Sequence, residues 1–290
     1  MTMLIKGAHI HTMTARGSFV GDILIRGEKI QKVAETIEVP EAEPACQLDA
    51  KGMTVLPGLI DMHICDGPET QICVLETDDC SGVTTGLLWP EEEGNCRLLY
   101  NGQASGCRIF HLPPEKYTDH QLHERFITLA NEGLTPACLV RDSKQCARVL
   151  QTVYSSRVRA ILLHISGCEE MLEAISLSGC PVIIGVGFGS NPWTVAKQLD
   201  ALGTQVALTC SYPASRLRHL PLCAAFCARD GMEKERALAA ITRAPAALLG
   251  LPEAGRIEAG ARADLCIYDG NPFLLATSHV MTISAGKIRH

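Results

Sequence analysis

Apolar and polar positions alternate with a period of two at both ends of the chain. Before residue 57 the pattern occurs in MLIKGAHIHTM, GDILIRGEKIQKVA and CQLDAKGMTVLP, and after residue 252 in RIEAG, ADLCIYDG and HVMTISAGKI. Such alternation is typical of strands with one buried face. Because each end supplies only about three strands, too few to bury a face alone, we expect residues 1–56 and 253–290 to form one small β-sandwich domain together.

Residues 57–252 alternate short apolar runs with helical stretches, which is the pattern of βαβ units around a parallel sheet. The seven predicted strands are VLPGLIDMHI, VTTGLLW, CRIFHL, PACLV, RAILLHI, PVIIGVG and QVALTC. The predicted helices span 118–132, 144–155, 168–178, 191–203, 216–229 and 233–249. Pro245 lies inside the last helix, where we expect a break or kink because proline has no backbone N–H.

The predicted fold class is therefore α/β, with a TIM-like (β/α) barrel over 57–252 and the sandwich built from both termini. A closed barrel of this type needs eight strands and roughly 200 residues or more. Since only seven strands are recognisable, two alternatives stay open. Either one strand has a less regular sequence, or the barrel is incomplete.

Composition narrows the classes of function. The 290 residues include 26 basic and 32 acidic side chains, for a net charge of −6, which gives no electrostatic basis for binding nucleic acid or an anionic membrane. No apolar run reaches the roughly 18 residues that span a bilayer. The N-terminal residues lack the pattern of an export signal, so we expect a cytoplasmic protein. A charged fraction of 20% together with apolar helices predicts a homo-oligomer.

Fourteen cysteines are scattered along the chain without a CxxC pair. A disulfide framework is typical of short secreted domains, and this chain is long and lacks a visible signal. We therefore expect most of the thiols to be reduced and to fill the core as small apolar groups.

The segment VLPGLIDMHIC (55–65) resembles the amidohydrolase superfamily, whose members have a VLPG-x-IDxHxH motif here. The resemblance returns in GVTT (82–85), in LLHISGC (162–168), and from PVIIGVGFGS (181–190) through GRIEAGARADLCIYDGNPF to ISAGKI. It covers about two thirds of the chain and is closest to the imidazolonepropionase-like and dihydroorotase-like branches. The resemblance implies a metal-dependent hydrolase of non-peptide C–N bonds in a small cyclic amide or amidine.

The resemblance also implies one or two divalent metal ions at the C-terminal mouth of the barrel, and here the sequence departs from the family. His63 matches the first histidine of HxH, but Cys65 replaces the second. His164 matches a strand-six histidine, whereas Cys210 replaces the strand-eight aspartate. The strand-five histidine and the strand-four lysine or glutamate have no clear counterpart. The strand-five position falls, depending on the alignment, on Val140, Arg141 or Asp142, and the strand-four segment offers only His111 and Glu115.

Three interpretations of these substitutions follow. The metal site has decayed and cysteines fill its space, leaving a catalytically silent binding or assembly protein. Alternatively, His63, Cys65, His164 and Cys210 form a structural Cys2His2 zinc site, since thiolates and imidazoles are good zinc ligands. In the third, hydrolysis is retained on the surviving histidines with Zn²⁺ or another divalent ion. The expected partner in each case is at most a small molecule, with no nucleic acid and no membrane.

Two other histidine pairs are noted. His9 and His11 form a second HxH, but within the predicted sandwich, where the family holds no metal. His120 and His123 lie one turn apart on a predicted helix and are expected on a solvated face. The sequence GVGFGS (185–190) lacks the spacing of a nucleotide-binding loop and is expected to be a tight barrel loop.

Overall fold

Two hydrogen-bonded sheets organise the chain. The computed structural model describes residues 2–39, 46–65, 82–101, 103–165, 167–186, 191–211 and 219–289. The predicted α/β fold with a TIM-like barrel and a terminal β-structure is confirmed. The division into two folding domains at residues 56–57 and 252–253 stays a prediction.

The first sheet combines strands from both ends of the chain. Its strands are β1 (Thr2–His11), β2 (Ser18–Arg26), β3 (Lys29–Ala34), β4 (Cys46–Asp49), β5 (Thr54–Pro57), β14 (Leu265–Tyr268), β15 (His279–Ser284) and β16 (Lys287–Ile288). They are ordered β16-β15-β14-β5-β1-β2-β3, with β4 also paired to β1. The C-terminal β14 is antiparallel to the N-terminal β5, so the two ends of the chain share one ladder. Buried isoleucines such as Ile5, Ile25 and Ile267 form its core.

The second sheet forms a nearly closed barrel. Its strands are β6 (Leu59–Cys65), β7 (Val83–Trp89), β8 (Gly94–Tyr100), β9 (Gln103–His111), β10 (Thr135–Leu139), β11 (Ile161–Leu163), β12 (Val182–Gly185) and β13 (Val206–Thr209), in sequential order. The strand absent from the seven predicted ones is β8, which is antiparallel to both β7 and β9. Strands β7, β8 and β9 therefore form a three-stranded antiparallel meander, where a regular barrel would have βα units. GNCRLLY lacks the apolar run of a buried parallel strand, which explains why the pattern did not reveal it.

Seven α-helices occur in the described part of the chain. They are α1 (Asp119–Asn131), α2 (Ser143–Ser156), α3 (Leu172–Ser178), α4 (Pro192–Ala201), α5 (Leu220–Arg229), α6 (Lys234–Ala239) and α7 (Arg243–Leu248), with 3₁₀ turns at Pro114–Lys116 and Glu169–Met171. Their positions agree with the predicted helices. None of the described helices is long and apolar enough to cross a membrane.

The predicted interruption near Pro245 leaves two helix carbonyl groups free to bond to barrel strands. The helical segment breaks between α6 and α7, because Pro245 has no N–H to donate to the carbonyl of Ile241. That carbonyl instead accepts a hydrogen bond from Ile60 N in β6 at 2.9 Å, and the Ala240 carbonyl accepts one from Leu208 N in β13 at 2.8 Å. The break thus bridges the first and last barrel strands, which do not pair directly.

A carboxylate joins the same two strands further along. Asp61 Oδ1 accepts hydrogen bonds from His63 N at 3.1 Å and from the Thr209 hydroxyl, and Asp61 Oδ2 accepts one from Cys210 N at 3.2 Å. Asp61 is buried, and burial raises the pKa of its carboxyl above the usual value, more than these hydrogen bonds lower it. Asp61 is therefore a structural residue that holds β13 against β6.

Candidate functional site

The C-terminal ends of the parallel strands bring two of the four predicted ligands together. His63 lies near the end of β6, and His164 directly follows β11. Their nitrogens, His63 Nδ1 and His164 Nε2, are 3.2 Å apart, and the rings meet edge to face with centroids 5.1 Å apart. A shift in the β6–β7 register between Asp61 and Ile64 marks a bulge, a feature that re-aims side chains beside active sites.

Both imidazoles are held in the neutral form. Burial, and secondarily the nearby His111, lowers the pKa of His63 to about 4. Burial, and secondarily His63, lowers the pKa of His164 to about 2. At neutral pH each ring therefore has one N–H and one lone pair, so the pair can donate and accept hydrogen bonds but is not a cationic site.

The backbone around this pair adopts conformations that are rare for residues with a side chain. His164 and Ile165 have φ values of 68° and 29°, and Ser211, which follows β13, has a φ of 55°. The Ser211 hydroxyl lies 3.4 Å from His164 Nε2. Left-handed residues other than glycine are uncommon, and such strain tends to cluster at functional sites. Three of them at one end of the barrel mark this end as the candidate site.

A cavity of about 380 Å³ opens beside His63. Its walls include Trp89 and His111, the last residues of β7 and β9, whose rings meet edge to face with centroids 5.5 Å apart. Trp89 also meets the His63 ring edge to face at 5.4 Å, and its indole N–H donates to the Met62 carbonyl at 2.8 Å. This volume lies in the usual range for small-molecule pockets.

The rim of this cavity is charged and the floor is apolar. The remaining lining residues are Cys65, Pro90, Glu91, Glu92, Pro113, Glu115, Lys116, Leu139, Arg141 and Leu163. Lys116 is paired with Glu92, and Arg141 Nη2 lies 3.9 Å from Glu115 Oε1. Since two of the three rim glutamates are paired with these cations and the imidazoles are neutral, the cavity suits a small ligand without a large net charge.

The two predicted cysteine ligands lie in different environments. Cys65 lines the cavity, and its pKa is raised by burial and secondarily by the Glu91 carboxylate. Cys210 is buried, and its thiol is hydrogen-bonded with Cys223 on α5. That hydrogen bond, followed by burial, raises the pKa of Cys210 well above its usual value. Both cysteines are thus thiols at neutral pH without a metal, and metal binding would have to release their protons.

The described residues do not supply a complete donor set for the catalytic metal centre that the resemblance implies. His63 and His164 are as close as two ligands of one ion would be. However, no group of three or more histidine, cysteine, aspartate or glutamate side chains in the described ranges is arranged to hold a metal ion. The carboxylate of Asp61 on β6 accepts hydrogen bonds within the barrel wall. The Cys2His2 zinc site of His63, Cys65, His164 and Cys210 stays a prediction.

The other candidates from the sequence are distributed around the molecule. Of the strand-five alternatives, Val140 is buried, Arg141 lines the cavity, and Asp142 caps α2 by accepting a hydrogen bond from Gln145 N at 2.7 Å. His120 and His123 lie on α1, as expected. Most of GVGFGS lies outside the described residues.

Sequence reasoning missed Trp89 as a site residue. A signal was present, because Trp89 ends the predicted strand VTTGLLW, and residues at the C-terminal ends of barrel strands face the site. His111, which the sequence offered in the strand-four segment, ends β9 and carries the same signal.

Known proteins resemble this chain over short stretches of sequence and over the whole fold. A model of the amidohydrolase family matches residues 225–290. A dihydroorotase from Streptococcus pyogenes is 39% identical over 62 residues, which are 21% of this chain and 14% of that protein. One from Aquifex aeolicus is 38% identical over 66 residues, 22% of this chain and 14% of that protein. The matched segment therefore spans only about one seventh of these relatives.

Solved structures match along nearly the full chain. An amidohydrolase from Thermotoga maritima aligns with a TM-score of 0.82 at 18% identity, covering 99% of both chains. A D-hydantoinase (dihydropyrimidinase) from Thermus sp. aligns with a TM-score of 0.76 at 16% identity, covering 99% of this chain and 94% of the other. At this level of identity the likeness concerns the fold.

Proposed function

We propose that the barrel mouth of this chain, which belongs to the amidohydrolase superfamily, binds a small, planar cyclic amide or amidine. We propose also that the protein does not hydrolyse this ligand with a metal ion. The observation that carries the proposal is the arrangement around His63 and His164. These two neutral imidazoles meet with a nitrogen–nitrogen distance of 3.2 Å, and no third histidine, cysteine, aspartate or glutamate of the described residues is placed to hold a metal ion with them. Metal hydrolases of this type need three protein ligands and an open position for the reactive water.

The ligand class is supported by the cavity walls. The Trp89 ring contacts the rings of His63 and His111 edge to face, and all three residues line the cavity, where aromatic surface favours a planar ring. The neutral imidazoles can exchange hydrogen bonds with the N–H and C=O groups of a cyclic amide. The names of the dihydroorotase and hydantoinase relatives suggest the same chemical class.

Binding is tested by fluorescence, since the chain has only two tryptophans. Trp193→Phe leaves Trp89 as the single tryptophan and serves as the matched control, because Trp193 packs against Phe226 away from the cavity. We expect hydantoin, dihydrouracil or dihydroorotate to change the emission of Trp193→Phe and to bind it as tightly as the wild type by calorimetry. Trp89→Ala should weaken binding about two- to tenfold, the value of one aromatic pair contact.

The absence of hydrolysis is measured on the same ligands. We expect no turnover above the uncatalysed rate with or without added Zn²⁺. Zn²⁺-dependent turnover that is lost in His63→Gln would contradict the silent-barrel proposal and support a retained hydrolase. Unchanged affinity in Trp89→Ala, or no binding of any of the three compounds, would refute the proposed ligand class.

Metal content gives a second test. After purification in reductant without added zinc and exhaustive dialysis, we expect less than one tightly bound ion per chain by elemental analysis. One or two retained ions would contradict the proposal. If one zinc ion is retained and is lost in both Cys65→Ala and Cys210→Ala, the structural Cys2His2 site is supported instead.

Two further expectations belong to this proposal. A cytoplasmic location is favoured by the twelve cysteines in the described residues, which are all free of disulfides. A homo-oligomer is favoured by exposed leucines such as Leu177 and Leu275, which are 82% and 85% exposed.

A further inference from the structure

We propose that His9 and His11 form a second, surface site for a divalent transition-metal ion such as Ni²⁺, Cu²⁺ or Zn²⁺, with Glu235 orienting His11. The site lies on β1 of the terminal sheet, separate from the barrel cavity, and is independent of the proposed ligand binding. Residues i and i+2 of a strand project to the same face, so the backbone presents both imidazoles together.

The separation of the two rings suits a shared ion. Their centroids are 4.6 Å apart with an interplanar angle of 82°. With metal–nitrogen bonds of about 2.1 Å, two imidazoles bound to one ion have centroids roughly 4.5–5.5 Å apart. His9 is exposed, and the His11 side chain is 14% exposed, so an ion can approach from solvent.

A carboxylate from a distant part of the chain supports His11. Glu235 lies on α6, 224 residues along the sequence, and its Oε1 is 2.7 Å from His11 Nδ1. This contact places the proton of His11 on Nδ1 and leaves the Nε2 lone pair available for a metal. Histidine ligands of metals usually have such a carboxylate on their second nitrogen, where it fixes the tautomer and raises the basicity of the ligating atom.

The expected ion follows from the donors. Two imidazole nitrogens favour late first-row divalent ions, in the order of affinity Ni²⁺ below Cu²⁺, with Zn²⁺ also accepted. Because no three ligand side chains are arranged around one ion in the described residues, water would complete the coordination. Binding should be correspondingly moderate and reversible.

The site is tested by calorimetric titration of the full, reduced chain with Ni²⁺ alone at pH 7.5. We expect one site of roughly micromolar affinity. His9→Gln and His11→Gln should each weaken it at least tenfold, and Glu235→Gln should weaken it about tenfold, the lower end of the usual effect of such a supporting carboxylate. The matched control is His120→Gln/His123→Gln, which removes two histidines from the surface helix α1 and should leave the affinity unchanged.

Three results would overturn the proposal. One is no Ni²⁺ binding at millimolar concentration. Another is equal affinity in the wild type and in both single histidine variants, which would assign the heat to thiols or to other groups. The third is a loss of affinity in the α1 control as large as in His11→Gln. Equal affinity of Glu235→Gln and the wild type would overturn the role of Glu235. Thermal unfolding of each variant establishes that it is folded.

Discussion

Asp264→Ala is expected to lower the free energy of unfolding by about 3–5 kcal/mol, the usual cost of removing one member of a buried ion pair. Asp264 is 4% exposed and directly precedes β14. Its Oδ2 accepts a hydrogen bond from Arg262 Nε at 2.7 Å. Its Oδ1 accepts from the Tyr100 hydroxyl at 3.0 Å and from Ala285 N at 2.8 Å.

These contacts explain the size of the effect, because they join the terminal sheet to the barrel. Tyr100 ends β8 of the barrel, whereas Ala285 follows β15 of the terminal sheet. The Arg262 guanidinium lies over the Tyr100 ring, 3.9 Å from its centroid, and also donates to the Thr85 hydroxyl of β7 at 3.3 Å. Alanine would leave a guanidinium, a phenol and a backbone N–H without their acceptor in a buried junction, and each costs desolvation free energy.

Urea unfolding followed by circular dichroism measures this effect. Asp269→Ala is the matched control, since Asp269 follows the same strand, is exposed, and accepts one hydrogen bond, from Ser278 N at 2.7 Å. We expect the control to lose no more than about 1 kcal/mol. A loss below 1 kcal/mol in Asp264→Ala would show that the junction does not depend on this carboxylate.

The sequence predicted the architecture wherever burial gives the apolar and polar residues a simple period. Alternation located the strands of both termini, and apolar runs between helices located seven barrel strands. β8 escaped because its buried residues, Cys96 and Leu99, are three positions apart beside a register shift, so the strand shows neither an apolar run nor a period of two. Asp264 escaped for a different reason. Its partners Tyr100 and Ala285 are 164 and 21 residues away, and no local pattern encodes such a contact.

The candidate site was less predictable than the fold. The family pattern identified His63 and His164, and the structure places them in contact. It could not show that the Cys210 thiol is engaged with Cys223, because that depends on how α5 packs against β13. The family pattern also did not include Trp89, and its position at the end of β7 did not by itself show that the side chain would form a wall of the cavity. Side-chain direction at a strand end depends on bulges and neighbours that a single sequence does not specify.

The second large effect is a loss of folding stability in acid, which we expect from the neutral pair His63 and His164. In the unfolded chain both imidazoles regain a pKa near 6.5, whereas in the fold the pKa values are about 4 for His63 and about 2 for His164. Below pH 6.5 the unfolded state therefore binds more protons than the folded state, and the stability falls as the pH falls. Well below pH 6.5, two such groups together remove at most about 3 kcal/mol per pH unit, which amounts to roughly 4–5 kcal/mol between pH 6.5 and 4.5.

The raised pKa of Asp61 changes the stability with pH in the opposite direction from the two histidines, so the two contributions can be told apart. Its pKa is raised in the fold, so it contributes stability that is present below its unfolded pKa and is lost as the pH rises through the folded value. Urea midpoints at pH 7.5, 6.0 and 5.0 should fall steeply for the wild type. The slope should be much smaller for His63→Gln/His164→Gln, whatever its stability at pH 7.5. The surface pair His120→Gln/His123→Gln should keep the wild-type slope, and equal slopes in all three proteins would mean that the two buried imidazoles accept protons in the folded state.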